Sequence, residues 1–166
     1  MKFLVRERIF DIGDDFWVED ENGERAFHVD GKVLRVRRTF ELKTPEGEVL
    51  LVIRKKLLSL RDTMRIERDG RTVATVRRRM FTLVKDRLAV ELEEGGGWEI
   101  SGSLFDKEYA IGDGDGPVAH ISRAWFRIRD TYAVDVDTAR SDAGGDAALV
   151  IAVAVAVDAL TGRDSR

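Results

Sequence analysis

Apolar residues alternate with polar ones along most of this chain, in short runs broken at nearly regular intervals by Gly with Asp, Asn or Pro. Phe16, Phe40, Met64 and Leu88 stand 24 residues apart, and Tyr109 and Tyr132 continue the series at slightly shorter intervals. The first five of these open runs that reach a turn signal: Asp20-Glu21-Asn22-Gly23, Pro45-Glu46-Gly47, Asp69-Gly70, Gly95-Gly96-Gly97 and Asp113-Gly114-Asp115-Gly116-Pro117. A second alternating run follows each turn, as in Arg25-Ala26-Phe27-His28-Val29 or Thr72-Val73-Ala74-Thr75-Val76. Two β-rich runs joined by Gly with Asp or Asn predict a hairpin, because those residues tolerate the positive φ of a tight turn.

The links between hairpins share a shape too. Leu34-Arg35-Val36-Arg37-Arg38-Thr39-Phe40, Leu58-Ser59-Leu60-Arg61-Asp62-Thr63-Met64 and Phe126-Arg127-Ile128-Arg129-Asp130-Thr131-Tyr132 place apolar residues two apart. That spacing anchors a link inward while its basic and Asp residues face water. Five hairpins, a leading strand near Lys2 to Glu7 and a closing strand near Tyr132 to Val136 make about twelve strands. A sequential chain of hairpins leaves two open edges unless its first and last strands meet, so a closed barrel is favoured. Side chains alone fill a barrel of about eight strands, so one of about twelve needs something else inside.

The segment from Asp146 to Leu160 is apolar all round apart from Asp158, as expected of a helix buried on every side. Asp146 is placed to cap its N-terminus, after a flexible Gly144-Gly145. Val and Ala also alternate here with period two, which suits a strand; the length favours a helix. The expected fold is mainly β: a closed barrel of about twelve antiparallel strands around a central apolar C-terminal helix, about 146–160. Residues 1–166 form a single domain in this reading.

Composition narrows the class without naming a function. The chain has 166 residues, 28 basic against 31 acidic, and no cysteine. A net charge of -3 gives no support for a nucleic-acid partner. The absence of cysteine excludes disulfides and Cys-bound zinc and suits a reducing compartment, so a cytoplasmic location is expected, with peripheral contact at a membrane. Arg6, Glu7 and Arg8 interrupt the apolar start, so no export signal is expected. The longest apolar run, Ala147 to Val157, is well short of the roughly 20 residues of a spanning helix.

Three blocks carry a family resemblance. Ile53-Arg54-Lys55-Lys56-Leu57-Leu58-Ser59-Leu60-Arg61-Asp62, then Val76-Arg77-Arg78-Arg79-Met80-Phe81-Thr82-Leu83, then the Ala/Val-rich tail resemble the LURP-one-related family. That family is similar in fold to the C-terminal domain of tubby proteins and to phospholipid scramblases. The resemblance covers nearly the whole chain and implies a twelve-stranded barrel around a central hydrophobic helix. It implies little about activity, since fold does not fix function. Tubby domains bind phosphoinositides, but none of their headgroup-binding residues is carried over to positions of this sequence.

No P-loop, G-x-S-x-G, H-E-x-x-H or helix-opening G-x-G-x-x-G is present, and no enzymatic activity or cofactor is expected. His28 and His120 lie in predicted strands, where packing is the usual role of a lone histidine. Asp113 and Asp115, alternating with Gly, are placed to offer oxygens to calcium, but the later bidentate Glu of an EF-hand loop is missing. A plain hairpin turn is the better account, and no metal site is assigned.

Charge layout is more informative. Hairpin tips carry Asp20, Glu21, Glu46, Asp69, Glu93, Glu94, Asp113 and Asp115. The other ends carry Arg35, Arg37, Arg38, Arg54, Lys55, Lys56, Arg77, Arg78, Arg79, Arg123, Arg127 and Arg129. Up-and-down hairpins would put these sets at opposite ends of the barrel. The candidate site is Arg54, Lys55, Lys56, Arg77, Arg78 and Arg79, placed side by side by neighbouring strands and docking on anionic phospholipid or a membrane surface. Solvated strand ends that discourage edge pairing account for such residues as well. The alternative function is a protein-interaction or scaffold domain in stress or defence signalling, as the family's plant members suggest, with an unidentified protein as partner.

Overall fold

The computed structural model describes residues 1–7, 15–31, 39–56, 62–80, 86–104, 106–123 and 131–161. The links read from sequence at 32–38, 57–61, 81–85 and 124–130 lie outside them, and Arg35, Arg37, Arg38, Arg127 and Arg129 with them. The strands are β1 (Lys2–Glu7), β2 (Phe16–Glu19), β3 (Arg25–Gly31), β4 (Thr39–Lys43), β5 (Val49–Lys55) and β6 (Thr63–Arg68). They continue with β7 (Arg71–Met80), β8 (Asp86–Leu92), β9 (Gly97–Ser103), β10 (Glu108–Asp113), β11 (Gly116–Ser122) and β12 (Thr131–Val136). A 3₁₀ turn, Ala143–Gly145, leads into helix α1, Ala147–Thr161.

Each strand pairs antiparallel with its sequence neighbours, and β1 also pairs with β12, so the twelve strands close into a barrel. Closure leaves no edge in the sheet, the outcome expected from a sequential chain of hairpins. All five predicted turns lie between paired strands. In four hairpins the register shifts just before the turn, after Val18, Leu42, Ile66 and Ile111. Such bulges sharpen the twist that a closed sheet requires. Gly47 shows why glycine occupies a tip, since its φ of 98° is one that other residues rarely adopt.

Alternation sorts the side chains. Phe16, Phe40, Met64, Leu88, Tyr109 and Tyr132, the spaced series in the sequence, lie near the starts of the even-numbered strands and are all buried. Inside them runs α1, with every residue from Leu149 to Val157 buried. Fifteen residues give a helix about 22 Å long, matching a seven-residue strand of about 23 Å, so α1 reaches through the barrel.

The two ends of α1 are tied to the wall by polar contacts. Asp146 caps it as expected, accepting from Leu149 N at 3.2 Å, while Arg68 donates to the same carboxylate at 2.7 Å. At the other end Arg78 donates to Leu160 O at 3.1 Å, and no basic residue lies in the helix's own last turn. Wall cations therefore face the negative end of the helix dipole.

Gly144 and Gly145 are not a flexible hinge. A Cβ on Gly145 would lie 2.0 Å from Arg140 O, and one on Gly144 would lie 2.7 Å from Arg140 Nε. The pair is glycine because the chain presses against Arg140, whose guanidinium also holds Asp113 and Asp142. The hydrogen bond from Arg140 is the main cause holding the Asp142 carboxyl below its ordinary value, opposed by desolvation. A carboxyl lowered in the fold takes up protons more readily when unfolded, so its stabilising contribution is lost as pH falls through the folded value. Melting temperature should therefore decline on the acid side, below about pH 4, and Asp142→Asn should flatten part of that decline. An unchanged slope in the variant would show that Asp142 does not contribute.

Candidate functional site

The six basic residues singled out in the sequence do not form one patch. Successive residues of a strand face opposite sides of the sheet, so a run of three is split by the pleat. On β5, Leu51 and Ile53 point inward and Arg54 outward; on β7, Ala74 and Val76 point inward and Arg77 and Arg79 outward. Lys55 and Arg78 fall on the inward phase at the barrel mouth. Lys55 Nζ is 3.0 Å from Asp62 Oδ1, and Arg78 reaches the end of α1, so both are engaged within the protein itself.

Nor do neighbouring strands bring the two triplets together. β6 lies between β5 and β7, with Arg54 opposite Arg65 and Arg65 opposite Thr75. Like positions in consecutive hairpins are two strands apart, which is why the expected juxtaposition fails. What remains on the outside is Arg54, Lys56, Arg77 and Arg79. Arg54 Nε is 3.0 Å from Glu67 Oε2, and Arg77 Nη2 is 3.4 Å from Glu91 Oε2; the two arginine side chains are 42% and 46% exposed. Lys56 and Arg79 are exposed, and neither has an ion pair among the described residues.

The wall contains two further cations that the triplets drew attention away from. Arg65 points outward from β6, and Arg87 points outward from β8 directly opposite Arg79. Each is a lone basic residue in an alternating strand, and the outward phase was the available signal.

The division into an acidic and a basic end is only partial. Asp62, Glu108 and Asp158 lie at the mouth with Lys55, Arg78 and Lys107, while Arg68 and Arg71 flank the turn at Asp69-Gly70. In the calcium candidate loop, Asp113 Oδ1 accepts from Asp115 N and Gly116 N, each at 3.0 Å, and its other oxygen is held by Arg140. The turn's own donors thus occupy the aspartate. His28 on β3 stacks on Trp17 with centroids 4.5 Å apart, and His120 is exposed on β11, so the two share no site. No cluster of three or more His, Cys, Asp or Glu that could hold a metal ion occurs among the described residues.

With a closed twelve-stranded barrel around one helix established, the comparisons agree with the architecture. A family model described as LURP-one-related matches residues 1–158. The chain belongs to the LURP-one-related family. YxjI of Bacillus subtilis (strain 168), described as an uncharacterized protein, is 24% identical over 136 residues, 82% of each chain. An X-ray structure of an Arabidopsis thaliana protein is similar with a TM-score of 0.67 at 18% identity, covering 95% of this chain and 90% of that one. The latter likeness is one of fold.

This LURP-one-related protein also has a polar cluster that the sequence did not signal, at the mouth where α1 ends. Asp158 Oδ2 accepts from Tyr132 OH at 2.8 Å, and Asp158 Oδ1 lies 3.1 Å from Lys107 Nζ. Lys107 Nζ sits 4.5 Å from the centre of the Tyr132 ring. Tyr109 OH is buried without a hydrogen-bond partner, and burial, followed by the Asp158 charge, raises its pKa well above the ordinary value. These residues lie far apart in sequence, so only closure of the barrel brings them together. They anchor the helix, and nothing in the family comparison points to catalysis.

Proposed function

We propose that this LURP-one-related protein is a non-enzymatic binding module that docks on anionic phospholipid at a membrane surface. The observation that supports it is the exposed basic wall: Arg54, Lys56, Arg77 and Arg79 face outward, and two of them have no ion pair among the described residues. Each Lys or Arg near an acidic leaflet contributes about 1 kcal/mol, enough for reversible attachment by four. Membrane contact is peripheral in this reading, since no helix among the described residues is long and apolar enough to cross a membrane.

Co-sedimentation with vesicles tests the proposal. The protein should pellet with vesicles containing an acidic lipid and stay in solution with neutral ones. Binding should fade with salt, as the Debye length shrinks from about 10 Å at 0.1 M to about 3 Å at 1 M. A variant with Arg54, Lys56, Arg77 and Arg79 all changed to Gln should lose most binding and melt within a few degrees of the wild type, because exposed charges add little stability. Lys55 and Arg78 are left in place, being engaged at the barrel mouth. If the wild type ignores acidic vesicles at low salt, the membrane reading falls and the protein-interaction domain takes its place.

A further inference from the structure

The outer wall of β5 to β8 contains an arrangement that sheets normally avoid. Arg54 stands directly opposite Arg65 across β5 and β6, and Arg79 directly opposite Arg87 across β7 and β8. Like charges in directly opposed positions destabilise a sheet. Arg77 projects from the same face between the two pairs. Neighbouring carboxylates do not neutralise the set: Glu67 is taken by Arg54 and Glu91 by Arg77. Arg65, Arg79 and Arg87 have no ion pair among the described residues.

We propose that these paired arginines form a binding site for clustered phosphate groups, with each opposed pair gripping one phosphate. Adjacent strands lie about 4.8 Å apart, so two guanidinium groups on opposed residues converge on a single tetrahedral anion. Arginine presents its donors in a planar fork that matches phosphate oxygens two at a time, which an ammonium cannot do. The four strands span about 14 Å, so a ligand must carry at least two phosphates to engage both pairs.

The chemistry of the wall narrows the class further. β5, β6, β7 and β8 contain no aromatic residue. Nucleic-acid bases would find nothing to stack on, and stacking is a main source of single-strand affinity. The site therefore selects dense phosphate, whether on a lipid headgroup or free in solution. This inference rests on the reading above that anions dock on this wall, and it adds a preference for clustered over diffuse charge.

Calorimetric titration with inorganic tripolyphosphate and with orthophosphate, at matched ionic strength, tests it. Tripolyphosphate should bind at least about tenfold more tightly, the worth of one further charge-assisted contact. A variant carrying Arg65→Lys and Arg87→Lys keeps the charge but loses the forks, and should lose most of that preference. Because it preserves charge, it should still pellet with vesicles whose acidic lipid carries a single phosphate or carboxylate. Equal affinity for the two anions, no affinity for either, or an undiminished preference in the Lys variant would overturn the proposal. If vesicle binding survives such a result, the membrane reading stands without this one. If tripolyphosphate binds selectively while acidic vesicles do not, the site stands and its ligand is free phosphate. Comparing vesicles bearing a multiply phosphorylated headgroup, with and without soluble tripolyphosphate as competitor, separates the two sources.

Discussion

Val153→Asp should lower the melting temperature by at least about 10 °C or prevent folding altogether. Val153 is fully buried near the middle of α1, with the barrel wall around it. An isolated carboxylate there has no wall cation to meet, since Arg68 contacts only the start of the helix and Arg78 and Lys107 only its end. The group must either remain charged in apolar surroundings or bind a proton and stay unsatisfied, at a cost of roughly 4 kcal/mol or more. For a domain of this size 1 kcal/mol moves the midpoint by about 2–4 °C. Val49→Asp is the control: Val49 is 44% exposed, and its substitution should stay within about 0.5 kcal/mol. Thermal melts followed by circular dichroism would show both. A Val153→Asp protein that melts with the wild type would mean that α1 is not enclosed in solution.

Asp158→Leu should be the next most damaging change, at about 2–3 kcal/mol. The side chains of Lys107 and Asp158 are only 15% and 19% exposed, so each charge depends on the other. Removing the carboxylate leaves a largely covered ammonium without its counter-charge and takes the acceptor from Tyr132 OH. Partial extension of the flexible Lys107 stem toward water keeps the loss below that of a fully buried pair. The double variant Lys107→Met, Asp158→Leu should then be more stable than Asp158→Leu alone, because it removes the stranded charge. Urea titrations of the three proteins decide the matter. Additive losses in the double variant would show that the pair is not coupled.

Local pattern determined the barrel. The spacing of Phe16, Phe40, Met64 and Leu88, together with the Gly and Asp turns, defines the hairpins, and a run of them leaves open edges unless it closes. The strands at Lys2–Glu7 and Thr131–Val136 meet at that closure, as expected. Asp146 was legible as a cap because capping is a short-range hydrogen bond between neighbours in sequence.

The helix was less secure, because Ala and Val in alternation suit a strand as well. Tertiary structure decides it: a closed barrel has no free edge, so an enclosed strand would leave its backbone N–H and C=O groups unpaired. A helix satisfies them within itself. The basic site shows the same division. Sequence located the triplets at 54–56 and 77–79, but strand pleat sent Lys55 and Arg78 to the barrel mouth, and β6 separated the rest. Pairing across strands is set by register, which has no signature in a run of neighbours, so Arg65 opposite Arg54 and Arg87 opposite Arg79 emerge only from the closed sheet. Asp158, Lys107 and Tyr132 meet for the same reason, since contacts between distant residues exist only once the chain has closed around its helix.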